Sequence, residues 1–181
     1  MKKAALAALI LSMLMLTGCT DKTEAEFNAF SEALAEKHMS MTATVHAEYE
    51  DISVEFGVVC TEDETGCTVT VTEPEEIRGV QARLEGGSTA LMYNGIVLDT
   101  GGDGGTGISP MNALPMVMQA LRDGYVESCG KDGEERTVEL WLDDERIVNV
   151  SFTADMIPTR AELSAEGCTV MYCTITEFAA E

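Results

Sequence analysis

The chain has little of what most catalytic and nucleic-acid-binding sites are made from. Lys and Arg together number 11 against 32 Asp and Glu, a net charge of −21. A phosphate backbone demands a basic surface, so nucleic acid is excluded as a partner. Anionic headgroups likewise repel a body of this charge. Histidine occurs twice, at His38 and His46. His38 falls near the end of a helical stretch, where an imidazole is favourable, and His46 falls on the polar side of a strand-like run. No C-x-x-C spacing occurs, so no thiolate metal site is expected. The run GGDGGTGIS at 101–109 has no Walker lysine after it and no strand–loop–helix fingerprint around it. Carboxylates are so numerous that no acid–base pair stands out. These absences point to a non-enzymatic protein with no cofactor and no metal.

What is present begins with MKKAALAALILSMLMLTGC. A basic head (Lys2, Lys3), an apolar run from Ala4 to Leu16 and small residues before Cys19 describe a secretory signal. The run is shorter than the ~20 apolar residues of a membrane span. Leu16-Thr17-Gly18-Cys19 resembles the lipobox of bacterial lipoproteins. That resemblance implies cleavage after residue 18 and diacylation of Cys19, with palmitate as a typical chain. It also implies an extracytoplasmic protein anchored to the bacterial cell membrane. Two acyl chains hold a protein stably where one does not. Residues 1–18 are then the signal peptide, 19–23 the lipidated cysteine and tether, and 24–181 a single domain of ordinary hydrophobic content.

Five cysteines follow Cys19, at 60, 67, 129, 168 and 173. Cys60 and Cys67 flank a polar connector between two strand-like runs, which makes them candidates for a disulfide across a hairpin. An exported chain permits that bridge, and a reducing host leaves all five as thiols. Cys168 and Cys173 are an odd number of positions apart in one run and must point to opposite faces.

Glu24–Lys37 places Phe27, Phe30, Ala33 and Leu34 at helical spacing, with Thr23 and Glu26 as a capping box. The period then becomes two. Met41, Ala43, Val45, Ala47 and Tyr49 alternate with polar residues. Ile52–Val58, Cys67–Glu73, Ile77–Glu85, Thr89–Tyr93 and Ile96–Leu98 continue as strands, the last pair joined by the hairpin signal Asn94-Gly95. Ser109–Gly124 reads as a second helix, with Ser109 as N-cap, Pro110 at the first position, Pro115 dividing it and Gly124 as C-cap. Further strands are expected at Tyr125–Cys129, Glu134–Leu142, Arg146–Ala154, Met156–Ala165 and Thr169–Phe178. Short turns between strands mean an antiparallel meander. The fold class is therefore α+β, a single curved sheet of about eleven strands wrapping an N-terminal helix and a central helical plug.

In order of elements, residues 24–178 resemble the periplasmic lipoprotein carriers and their lipoprotein relatives (LolA/LolB-like). VTEPEEIRGVQARLEGGSTALMYNG looks like that family's middle strands. The resemblance implies a half-barrel with a plug between the sixth and seventh strands, and an apolar ligand (lipid or acyl chain) bound between sheet and helices. The candidate lining is Phe56, Val58, Val71, Met92, Met111, Leu114, Met118, Leu121 and Val150. The alternative is an envelope interaction or sensor lipoprotein with a protein partner and no ligand.

Overall fold

A computed structural model describes residues 22–49, 52–102 and 108–181. The signal segment, the lipobox with Cys19, the first tether residues and the centre of the glycine run lie outside the described residues.

Helix α1 (Lys22–Leu34) comes first, and its buried residues Thr23, Phe27 and Leu34 form one stripe. Thr23 lies inside the helix and is buried, so the expected capping box is not the start of this element. Ala33 is exposed, one step round the helix from Leu34. The helix also stops three residues short of Lys37.

Six strands follow: β1 (Met39–Tyr49), β2 (Ile52–Asp63), β3 (Gly66–Glu73), β4 (Gln81–Glu85), β5 (Ser88–Tyr93) and β6 (Ile96–Gly102). Helix α2 (Ala113–Asp123) comes next. Five strands close the chain: β7 (Tyr125–Asp132), β8 (Glu135–Trp141), β9 (Arg146–Phe152), β10 (Pro158–Ala165) and β11 (Cys168–Ala180). All eleven form one antiparallel sheet in the order β6-β5-β4-β3-β2-β1-β11-β10-β9-β8-β7. Both edges, β6 and β7, are left open, so the sheet is a half-barrel and not a closed one.

Two sequence expectations differ locally. The run from Ile77 does not begin a strand, because Glu75–Ile77 forms a 3-10 turn and Gly79 sits at φ +86. The strand starts only at Gln81. Helix α2 begins at Ala113, with Asn112 at the cap position. Ser109 to Asn112 is a separate turn, closed by the Ala113 N–H to the Ser109 carbonyl at 3.0 Å and by the Ser109 N–H to Asn112 Oδ1 at 2.7 Å. Pro115 thus falls in the first turn, where its missing N–H is not needed, and it does not divide the helix. Gly124 does cap α2, with its N–H on the Ala120 carbonyl at 3.0 Å. Its φ is −66, so left-handed freedom is not what selects glycine there. A Cβ would stand 2.5 Å from the Ala120 oxygen, which excludes any larger residue.

The two-residue period sorts the sheet into an inner and an outer face. Met39, Met41, Ala43, Val45 and Ala47 of β1 are all buried, while Thr44 and Glu48 are exposed. In register, Ala43 meets Val58 and Ile175, and Val45 meets Phe56 and Cys173. Cys173 is buried and Cys168 exposed. The register shift between Leu163 and Ser164 pairs Cys168 with Ala165, on the same face as Leu163, so their odd spacing does not put the two cysteines on opposite faces. Helix α2 lies across this inner face, with Leu114, Val117, Met118 and Leu121 buried at 0–1 % exposure. Its contacts run to β1, β3 and β8–β11, and those of α1 run to α2, β7 and β8. Each such aliphatic side chain removed from water contributes about 1.5–3 kcal/mol, so the core holds the helices to the β7–β11 half and the centre of the sheet.

Candidate functional site

The helices are fastened at two places. At one end Phe27, Phe30, Phe152 and Phe178 form an aromatic cluster, with Phe27–Phe152 and Phe30–Phe152 edge-to-face at 5.9 and 5.7 Å. Beside it Arg136 of β8 points inward, pairing across strands with Phe152. Its guanidinium meets Glu26 of α1 at 2.7 Å and donates to the carbonyls of Thr153 and Ala154. A buried arginine on an otherwise apolar face is tolerable only with such partners.

At the other end Arg122, in the last turn of α2, reaches the β2–β3 hairpin. Its Nη2 and Nη1 donate to the two oxygens of Glu62, at 2.7 and 3.2 Å. Further donations go to the Leu34 carbonyl at the end of α1 and the Lys37 carbonyl just beyond it. Glu62 also accepts the Met39 N–H at 2.9 Å. One ion pair thus ties α1, α2, β1 and the hairpin together, and the carboxylate holds the Arg122 pKa above its usual value. Next to it Arg83 forks onto Asp63 at 2.7 and 2.8 Å and also meets the Thr65 hydroxyl. Arg83 first, and Thr65 second, hold the Asp63 carboxyl well below the usual carboxylate range. This cluster borders an open cleft of about 470 Å³, lined by residues that include Lys37, His38, Glu62, Cys67, Leu84 and Arg122. His38 is not in a helix. It follows the turn after α1 and pairs its backbone with Glu181. His46 lies on the outer face, with Ser53 Oγ at 2.9 Å.

The candidate apolar lining divides into three groups. Val58, Val71, Leu114, Met118, Leu121 and Val150 are brought together in the buried core beneath α2. Phe56 and Met111 are half-buried and pack against that core. Met92 is elsewhere. Its neighbour Leu91 stands opposite buried Ala82, so Met92, opposite Gln81 and Val97, is on the outer face. The sequence reading of Met92 as an inner residue is corrected by that register.

Among the described residues, the inner apolar side chains left exposed lie on the β4–β6 side, apart from the strands with the main helix contacts. Leu91, Tyr93, Ile96 and Leu98 share the inner face with Ala82 and Leu84 through the β4–β5 and β5–β6 registers. Leu98 is 61 % and Ile96 71 % exposed, and Tyr93 is exposed too. Sequence reasoning recognised the strand and missed the site. The signal was there, in three consecutive apolar residues after a tight turn. Among the described residues no group of three or more His, Cys, Asp or Glu is placed to hold a metal ion.

No family model and no curated protein matches this chain. Solved structures do. A LolA superfamily protein from Nitrosomonas europaea is similar at 10% identity and TM-score 0.48, over 88% of this chain and 93% of that one. The Mycobacterium tuberculosis lipoprotein LppX is similar at 9% identity and TM-score 0.41, over 86% and 92%. A structure of the Clostridioides difficile CwlD amidase in complex with the GerS lipoprotein matches at 14% identity and TM-score 0.45, over 91% and 99%. The LolA superfamily, which the order of elements resembles, is thus among the structural likenesses. The residues of the site are read from this chain alone.

Proposed function

We propose that this is a cell-envelope binding protein that takes an acyl chain or similar apolar ligand against the inner face of β4–β6, beside the plug helix α2. In this reading Cys19 carries the lipid that anchors it outside the cytoplasm, and the protein binds without performing chemistry on its ligand. The observation that supports it most is the exposure of Ile96 and Leu98 on the inner face of an open sheet. Exposed apolar side chains that are contiguous on one face mark an interaction surface, whereas scattered ones need no explanation. A wall of this kind, at the open edge of a curved sheet, suits a flexible apolar chain.

The sheet's alternation supplies the test. Leu98→Lys puts a charge on the inner face, and Val97→Lys, one residue away, puts it on the outer face. A fluorescent fatty acid titrated into the full chain in detergent below its micelle concentration should bind the wild type and Val97→Lys alike. Leu98→Lys should weaken binding by roughly tenfold or more, the loss of one buried leucine contact and the cost of a desolvated ammonium. Equal binding by the two variants, or none by the wild type, would overturn the proposal in favour of an envelope interaction protein without a ligand.

A further inference from the structure

We propose that Cys67 and Cys60 form a thiol–disulfide exchange site opening on the cleft between the end of α1 and the β2–β3 hairpin. The co-reactant is a low-molecular-weight disulfide. The site adjoins the apolar surface of β4–β6 at Leu84, the cross-strand partner of Cys67, but does not rest on that reading.

In the β2–β3 register Cys60 stands opposite Val69, and Glu62 opposite Cys67. Residues 60 and 62 share a face, so the two cysteines are diagonal neighbours on the inner side of the sheet. Both are free thiols on neighbouring strands, and each sulfur perturbs the other. Their surroundings differ. Cys60 is 0 % exposed, whereas Cys67 is half-buried and lines the cleft. Only Cys67 can be reached from outside. Each of the other three faces a non-cysteine in its strand pairs, with Cys129 opposite Val138, Cys168 opposite Ala165 and Cys173 opposite Ala161 and Val45.

The contact divides the labour. The interaction with Cys60 holds the Cys67 thiol below its ordinary range, and the same interaction together with burial pushes Cys60 up. Arg83 also favours the Cys67 thiolate, while burial, Glu62 and Asp63 oppose it. The thiolate is the nucleophile. The Cys67 thiolate attacks one sulfur of the external disulfide RS–SR, breaking that bond and expelling RS⁻, which takes a proton from water. The Cys60 thiol then gives its proton to solvent or to the leaving thiolate and attacks the Cys67 sulfur, expelling the second RS⁻. The protein dithiol loses two electrons to become a disulfide, and RS–SR gains them to become two RSH.

Register also decides what kind of bridge results. Diagonal neighbours in an antiparallel pair lie roughly 7–8 Å apart at Cα, and disulfides usually span about 4.4–6.8 Å. The bridge must therefore draw β2 and β3 together beside Glu62. Such a disulfide is readily reduced, the property of an exchanging bond and not of a permanent staple.

The test treats the reduced full-length chain in detergent with glutathione disulfide, quenches with acid, alkylates free thiols and maps peptides by mass. The wild type should accumulate a Cys60–Cys67 disulfide that reduced glutathione reverses. Cys60→Ala should stop at glutathione bound to Cys67, and Cys67→Ala should leave Cys60 reduced. On the unaltered chain, phenylarsine oxide, which bridges neighbouring thiols, should protect Cys60 and Cys67 together from alkylation. This measurement holds should a variant fail to fold. A Cys67 that stays reduced while Cys168 reacts, or a stable glutathione adduct on wild-type Cys67 without a bridge, would overturn the proposal.

Discussion

Replacing Arg122 by Met tests whether the ion pair with Glu62 holds the plug in place. Met keeps most of the aliphatic stem and its packing while removing every donor. The side chains of Arg122 and Glu62 are 25% and 15% exposed, so the pair lies between the surface and the interior. A surface pair contributes at most about 1 kcal/mol, and removing one partner of a fully buried pair costs about 3–5 kcal/mol. Glu62 keeps the Met39 N–H after the change, so its carboxylate is not abandoned. The Leu34 and Lys37 carbonyls lose a donor that water can replace in part. The expected loss is about 2–3 kcal/mol, midway between those limits. In a domain of this size that lowers the melting temperature by roughly 5–10 °C. Urea unfolding followed by circular dichroism gives the single-variant value. A cycle with Glu62→Gln should return a coupling of about 1–2 kcal/mol, because each residue's contribution depends on the other. A loss below about 0.5 kcal/mol, or a coupling near zero, would refute the view that this contact fastens the helix.

Two further outcomes follow from close packing and burial. At Gly66 an added Cβ would stand 2.1 Å from the backbone oxygen of Leu84. Gly66→Ala should therefore push β4 away from β3 and cost about 1–3 kcal/mol, read as a lower urea midpoint. An unchanged midpoint would show that the strands are not held this close. Burial pushes the Cys173 thiol from 9.0 up to about 12. Below the lower value both folded and unfolded chains keep the proton, and between the two only the folded chain does. Stability from this residue is thus fully present below about pH 9 and declines as pH rises through the window, by up to about 4 kcal/mol. Cys173→Ala should flatten the fall in stability between about pH 8 and pH 10.5. Parallel curves for the two proteins would remove Cys173 as the cause.

Most of the strands were legible because a half-buried antiparallel sheet writes its faces into alternation. β1 reads apolar at every second residue, and each of Met41, Ala43, Val45 and Ala47 is buried. The same rule failed at Met92, since STALMY is apolar at three successive positions and alternation cannot choose a face there. Only the pairing of Leu91 with Ala82 settles it. Helix boundaries were legible to within a few residues. Pro115 was misread because a proline in the first turn looks the same in sequence as one in the middle. The surface proposed to bind was half legible. The core beneath α2 follows from apolar spacing, but the uncovered stretch at Ile96 and Leu98 depends on which strands the helices fail to reach. The ion pair between Glu62 and Arg122 spans 60 positions and leaves no local trace in a chain so rich in carboxylates.

The strand order carries a consequence for how such a molecule is made. β1 and β11, the first and last strands, are neighbours in the middle of the sheet, and Thr42 meets Glu177, 135 positions further along the chain. The β1–β6 and β7–β11 meanders are each built from adjacent hairpins and can form as the chain emerges. Their union cannot. Contacts between distant segments carry the entropy of closing the loop before they return any stabilisation. Until β11 has been synthesised, β1 is an open edge and the inner face has no complete cover. A ribosome or a translocation pore that still holds the last strand therefore holds two half-sheets, and release of β11 is the event that turns them into one.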